Sequence, residues 1–180
     1  MNEQENKSFE EEYFVTHISF TISDRDVRDN VSRLDPESIT TELGIQPSWS
    51  FKGGDTFLSR TPDGRGGYVL VEHQRPWTVW GLRTDQLVES NELDHHCRVL
   101  LDLLEPRRAV LEKYLGQPDV YHVGIKIRTE QSGWIISYGL SSELLIRLSN
   151  LCHDIGFSNI CYGDDAPREI KAERNRQKRT

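Results

Sequence analysis

The stretch over residues 34–47 constrains the fold most, because it specifies a short helix together with both of its ends. Asp35 is a residue type that caps free backbone N–H groups, and Pro36 suits the first helical position, where no N–H is needed. Gly44 readily takes the left-handed conformation that ends a helix. The stretch therefore predicts a helix over residues 36–43, entered and left by extended chain.

Alternating apolar and polar residues before this helix predict a β-strand. The alternation runs from Phe14 to Ser23 with a period of two, which is typical of a strand with one buried face. Two more helices, beginning near Leu93 and near Pro106, are predicted from apolar stripes at helical spacing. Further extended segments are expected over residues 46–51, 68–73, 77–82, 120–128, 134–138 and 157–162.

The opening motif recurs near the C-terminal end, where Leu140-Ser141-Ser142-Glu143 lines up with Leu34-Asp35-Pro36-Glu37. Ser141 takes the capping position, and Gly156 is the expected end of this last helix. The recurrence predicts two related βαβ-containing halves, 13–83 and 84–163, with a chance match as the alternative. The fold class predicted is α+β: a mainly antiparallel sheet with helices packed on one face.

Composition divides the chain into three parts. Residues 1–12 are a polar, acidic lead that is predicted to be disordered, and residues 13–163 form a single α+β domain. Residues 164–180 are expected to form a basic, loose tail. The chain has a net charge of −7, and its last 13 residues hold six Lys or Arg and two Glu, so residues 1–167 carry −11. Such a body disfavours nucleic acid and suits a basic protein partner, although solubility alone also accounts for it.

The N-terminus lacks the basic start and apolar core of a signal peptide, and no run of about 18 apolar residues is present. Three cysteines at no framework spacing are typical of reduced thiols. We therefore expect a cytoplasmic protein that does not span a membrane.

Motifs that carry known chemistry are missing from the sequence: it contains no phosphate-binding loop, zinc-protease helix, nucleophile elbow or dinucleotide fingerprint. His95-His96-Cys97 resembles a metal site, but adjacent helical residues point about 100° apart, so at most one or two of the three could share an ion. We predict no metal, no cofactor and no catalytic residues.

The best candidate binding surface combines aromatic and charged residues around loops and strand ends of the first half. Tryptophan and arginine are the residue types that most often anchor protein interfaces, and they also stack on flat ligands. The alternative is that the tryptophans fill the core. The candidate residues are Trp49, Lys52, Asp55, Arg75 and Trp77.

These motifs together resemble a bacterial family known only as domain of unknown function 4279. The features that carry the resemblance are residues 34–47, Lys52-Gly53-Gly54-Asp55, Trp77 ahead of a leucine-rich helix, Pro106 after it, and Gly139-Leu140-Ser141. The family usually has a tighter Lys-Gly-Asp, so the second glycine is a departure. The resemblance implies an α+β domain and no established activity, cofactor or catalytic residue. Some similar proteins look like single-domain proteins that accompany toxins.

The function expected from the sequence is therefore a non-enzymatic protein-binding module, in particular a cytoplasmic immunity protein that neutralises a bacterial toxin. The alternative is a small-molecule-binding protein or an enzyme that uses the region of Trp49, Lys52, Arg75 and Trp77.

Overall fold

The computed structural model describes residues 14–24, 33–64, 66–132 and 139–162. Within these ranges the chain forms seven strands and four α-helices, with 3₁₀ turns at residues 84–86 and 105–107. In chain order the elements are β1 (Phe14–Asp24), α1 (Pro36–Leu43), β2 (Trp49–Phe51), β3 (Thr56–Pro62), β4 (Tyr68–Gln74), β5 (Val79–Arg83), α2 (Leu93–Leu104), α3 (Arg108–Leu115), β6 (Tyr121–Ser132), α4 (Ser142–Ser149) and β7 (Asp154–Tyr162).

The first helix has the ends that its sequence specifies. The Asp35 carboxylate accepts a hydrogen bond from the Ser38 backbone N–H at 3.1 Å, and Pro36 occupies the first turn. Gly44 has a φ of +63°, and its N–H donates to the Thr40 carbonyl at 2.9 Å. Such an N-cap stabilises a helix by about 1 kcal/mol, and glycine adopts a positive φ without steric cost.

Five strands form one sheet in the order β2-β5-β1-β6-β7. The central strand β1 is antiparallel to both β5 and β6, so the sheet is mainly antiparallel. The exception is the parallel pair β6–β7, which the crossover helix α4 connects. In the first half, β5 lies between β1 and β2, so the two strands joined through α1 are not neighbours.

The helices cover one face of this sheet, which gives the α+β architecture that the sequence predicts. Alternate residues of the two central strands point into a single core, as a period of two requires. The core unites them with side chains from all four helices, and its fully buried members include Ile18, Phe20, Ile22, Ile39, Trp80, Leu82, Leu100, Leu104, Leu111, Ile125, Ile127 and Leu148. The opposite face, called here the open face, carries polar residues such as Ser19, Thr21 and Lys126.

The remaining two strands form a separate two-stranded hairpin, β3–β4, called here the arm. The sequence predicted β4 but not β3. Thr56–Pro62 contains only two large apolar residues, and no clean alternation marks it as a strand. Its extended form depends on pairing with β4 rather than on its own pattern.

The end of the last helix was predicted wrongly. The sequence placed it at Gly156, whereas α4 ends at Ser149 with Asn150 as its C-cap, and Gly156 lies within β7. Ser141 does cap the helix start, accepting from the Leu144 N–H at 3.2 Å. The predicted strand 134–138, the acidic lead 1–12 and the tail 164–180 lie outside the described residues.

Candidate interaction corner

A four-residue turn joins the main sheet to the arm, and its own hydrogen bonds hold it in one shape. The Asp55 side chain accepts from the Lys52 backbone N–H at 2.8 Å, and the Asp55 N–H donates to the Lys52 carbonyl at 3.1 Å. Gly54 has a φ of +89°, which an L side chain rarely adopts. The second glycine of this motif therefore has a local structural reason, and Asp55 acts as the side chain that closes the turn.

The turn is also tied to the segment that links β4 to β5. The Gly54 N–H donates to the Arg75 carbonyl at 2.8 Å, and the Arg75 N–H donates to the Asp55 carbonyl at 2.7 Å. The Gly53 N–H donates to the buried Thr78 hydroxyl at 2.9 Å. These bonds bring together Lys52, Asp55, Arg75 and Trp77, four of the five candidate residues, at what we call the Trp77 corner.

Arg75 holds the arm against the main sheet. Its guanidinium carbon lies 4.2 Å from the centre of the Phe51 ring in β2 and 3.9 Å from the centre of the Phe57 ring in β3. A guanidinium stacks well on aromatic faces, and each such contact stabilises by about 0.5–1 kcal/mol. The N–H donors of a guanidinium lie around the edge of its plane.

Lys52 connects this corner to the first helix. Its ammonium group lies 3.0 Å from the Asp35 carboxylate, the same carboxylate that caps α1. The hydrogen bond to Lys52 lowers the pKa of Asp35, and the hydrogen bond to Asp35 raises the pKa of Lys52. Both groups therefore stay charged across the neutral range, which suits electrostatic recognition better than proton transfer.

The three tryptophans within the described ranges occupy different environments. Trp77 is 46% exposed at the corner, and Trp80 is fully buried, with its ring N–H donating to the Thr40 hydroxyl at 3.0 Å. Trp49 is half-buried and lies on the open face across Gly81. A Cβ added at Gly81 would stand 2.4 Å from two carbons of the Trp49 ring. Trp49 is therefore placed beside the corner on β2 and has a packing role there.

Sequence reasoning missed three partners of the corner: Phe51, Phe57 and Asp35 as the partner of Lys52. Phe51 lies one residue before the turn and Phe57 two residues after it, so the sequence alone shows that both are close to the turn. Their contact with Arg75, which lies about 20 residues away in the sequence, depends on how the arm folds and could not be predicted from the sequence.

A second polar cluster lies on the open face around His17, which is 93% buried. Its Nδ1 atom has no hydrogen-bond partner in the described part of the chain. Two ion pairs flank it, Arg83–Asp85 at 2.6 Å and Arg128–Glu130 at 2.6 Å. Burial, followed by the charge of Arg83, lowers the His17 pKa to about 4. The imidazole is therefore neutral in the fold at neutral pH.

His96 and the thiols of Cys97 and Cys152 have structural surroundings. The two ring nitrogens of buried His96 contact the Thr84 hydroxyl at 2.7 Å and the Ser90 carbonyl at 2.8 Å. Burial raises the pKa of the Cys97 thiol to about 12 and that of Cys152 to about 11, so both are protonated at neutral pH. Within the described ranges, no three His, Cys, Asp or Glu side chains are grouped as metal ligands.

A His–carboxylate contact lies at the other end of the open face. The His122 Nε2 atom is 2.5 Å from the Asp154 carboxylate, linking β6 to the start of β7. His122 is also the cross-strand neighbour of Ser23, whose hydroxyl contacts the His122 backbone carbonyl at 3.5 Å rather than its ring. The geometry therefore lacks the contact between hydroxyl and imidazole that a serine nucleophile requires.

No helix in the described ranges is long and apolar enough to cross a lipid bilayer. Comparison with protein families matched residues 12–162, most of the chain, to the family described as "Domain of unknown function (DUF4279)". Comparisons with curated proteins and with solved structures gave no significant match.

Proposed function

From the premise that this chain belongs to the DUF4279 family, whose description assigns no activity, we propose that it is a non-enzymatic protein-binding module. The observation that carries the proposal is Trp77, a large aromatic side chain left 46% exposed on a backbone that hydrogen bonds hold rigid. Rigid aromatic anchors lose little conformational entropy on binding, and tryptophan dominates the energetics of many interfaces.

The groups around Trp77 fit the rim of an interface. The Lys52–Asp35 pair provides permanent charges of both signs at the surface. Arg75 is half-buried and already oriented by its two aromatic neighbours. Its planar donors suit carboxylates or backbone carbonyls of a partner. An apolar centre with a polar, charged rim is the usual composition of a protein interface.

The charge of the chain points to the kind of partner. With a net charge of −7, the protein attracts basic proteins at long range and repels nucleic acid. The specific form of our proposal is a cytoplasmic immunity protein that binds and neutralises a basic bacterial toxin.

Co-expression with the product of the adjacent gene tests this proposal. Growth in the presence of that product, together with a stable 1:1 or 2:2 complex after purification, would support it. The matched pair of variants is Trp77→Ala and Leu87→Ala, because Leu87 is 47% exposed outside the corner. We expect loss of protection with the first variant alone. No complex and no protection with the unmodified chain would refute the proposal.

A small-molecule-binding function is the second candidate, and one cavity bears on it. A shallow depression of about 340 Å³ beside the corner is lined by Asp35, Glu37, Ser38, Thr41 and Glu42. Its volume falls within the range of ligand sites, and its acidic lining suits a cation. However, Asp35 already pairs with Lys52, and Glu42 pairs with Lys113 at 2.7 Å. A thermal-shift screen with polyamines and amino sugars that stabilised the chain would favour this function.

A further inference from the structure

The arm exposes apolar side chains that the rest of the described chain does not cover. Leu58, Tyr68 and Leu70 are 64%, 70% and 65% exposed, and Val69 is 48% exposed. A two-stranded hairpin is only marginally stable in water unless further strands or a helix complete it. The arm is therefore an incomplete sheet.

The register shows which backbone groups of the arm face outward. Hydrogen bonds run from the Arg75 N–H to the Asp55 carbonyl at 2.7 Å and from the Asp63 N–H to the Gly67 carbonyl at 3.0 Å. In an antiparallel pair the inward-facing residues alternate along each strand. These two bonds lie at the two ends of the ladder, and both join odd-numbered residues. The odd-numbered residues therefore form the backbone hydrogen bonds within the arm. The even-numbered residues direct their N–H and C=O groups outward: Thr56, Leu58, Arg60 and Pro62 on β3, and Tyr68, Leu70, Glu72 and Gln74 on β4.

The two edges of the arm differ in their ability to accept another strand. The β3 edge contains Pro62, which has no N–H, and the charged Arg60 at an outward position. Proline and positive charge are the features that normally protect an edge strand from pairing. The β4 edge has no proline and no positive charge over residues 68–74, and Glu72 is its one charged residue at an outward position, so every outward N–H and C=O group of β4 is present for strand addition.

We propose that β4 pairs with the β4 strand of a second copy of this chain, antiparallel and centred on Leu70. This register places Leu70 opposite the partner subunit's Leu70, and Val69 opposite the partner subunit's Val71. Glu72 then faces the partner subunit's Tyr68, so no acid faces an acid. The result is a four-stranded sheet in a self-complementary two-fold arrangement, in which the Leu70 side chains of the two copies meet on one face and the Val69 and Val71 side chains meet on the other.

Local charge does not oppose a second copy at this edge, although the net charge of the whole chain does. Residues 56–74 contain Arg60, Arg65, Asp63 and Glu72, so the arm is neutral and the negative charge lies elsewhere. A ladder of about five residues buries less than the roughly 1,200 Å² of a standard stable interface. The dimer is accordingly weak and concentration-dependent. It leaves the Trp77 corner, at the base of the arm, outside the paired residues.

Sedimentation equilibrium of the full chain, from micromolar to millimolar concentration, tests this pairing with charge-swap variants. Leu70→Lys and Leu70→Asp each place like charges across the two-fold axis, and we expect each to weaken dimerisation at least tenfold. A mixture of the two variants restores the dimer, which also shows that both are folded. Leu58→Lys and Leu58→Asp are matched controls on the β3 edge, with nearly equal exposure, and leave the dimer unchanged.

Three results would overturn the proposal: a monomer at every concentration, equal weakening by the Leu58 and Leu70 variants, or no recovery on mixing. The Trp77→Ala variant dimerises normally under this proposal, so failure of dimerisation and failure of partner binding are separable. Salt screens the repulsion between two chains that each carry a net charge of −7, so we predict a tighter dimer in higher salt. A dimer that dissociates in higher salt would contradict pairing through a neutral edge.

Discussion

Burial of neutral His17 makes the stability of this protein depend on pH, and the size of the effect follows from the structure. The ordinary pKa of 6.5 applies in the unfolded chain, whereas the folded pKa is about 4 because burial and the neighbouring arginines disfavour the imidazolium. Above pH 6.5 both states are neutral, and His17 contributes no pH dependence. As pH falls from 6.5 towards 4, only the unfolded state gains the proton, so stability is lost.

The magnitude is the pKa difference multiplied by 1.36 kcal/mol for each pH unit. A difference of about 2.5 corresponds to about 3 kcal/mol of unfolding free energy lost between pH 6.5 and 4. The groups facing His17 are Arg83 and Asp85 from β5 and the turn after it, and Arg128 and Glu130 from β6. The two carboxylates partly offset the arginines, and burial remains the largest cause.

The assay is urea unfolding at several pH values between 7.5 and 4, for the unmodified chain and for His17→Gln. Paired carboxylates such as Glu105 also lose their partners in acid, so the difference between the two proteins is the informative quantity. We expect the unmodified chain to lose about 3 kcal/mol more than the variant over this range. His95→Gln, at an exposed position of α2, serves as the control for replacing a histidine with glutamine elsewhere in the chain. Identical pH slopes for the unmodified chain and His17→Gln would refute the reasoning.

Three further predictions concern packing. Gly81→Ala drives a methyl group into the Trp49 ring and lowers the free energy of unfolding by about 1–3 kcal/mol, as measured with denaturant. In a Trp49→Ala background most of that loss disappears. An equal loss in both backgrounds would contradict the contact. Arg75→Ala removes two ring contacts and lowers the free energy of unfolding by about 1–2 kcal/mol. It also speeds proteolysis within the arm before the core unfolds. Cleavage of the arm at the rate of the unmodified chain would argue against this stacking. Ser141→Ala removes the cap of α4 and costs about 1 kcal/mol, whereas the neighbouring change Ser142→Ala has little effect; equal effects would contradict the cap.

Local signals predicted the elements whose ends or faces are encoded within a few residues. The helix at Pro36–Leu43 has its cap, proline and terminal glycine in one stretch, and its bounds were predicted correctly. The alternation from Phe14 gave β1, and the apolar stripe gave α2. In contrast, Gly156 resembles Gly44 in position, but the helix before it ends six residues earlier, and Leu151 and Cys152 are buried in the segment that follows the helix.

Non-local contacts account for what the sequence did not predict. The strand β3 forms because β4 supplies its partners, and its own residues do not alternate clearly. Four candidate residues meet at the Trp77 corner because hydrogen bonds join two segments that lie 20 or more residues apart. His17 lay on the predicted polar face of β1, and its burial depends on neighbours from two other strands. The family motifs at Asp35 and Lys52 meet in an ion pair that spacing alone could not show.

The account depends most on Trp77 acting as an interface anchor, and one titration tests this directly. The affinity for the product of the adjacent gene is measured by calorimetry with the unmodified chain, Trp77→Ala and Leu87→Ala. We predict that Trp77→Ala weakens binding about 30-fold or more, equivalent to about 2 kcal/mol, whereas Leu87→Ala changes it less than threefold. Binding by Trp77→Ala as tight as that of the unmodified chain would contradict the proposed function of the corner.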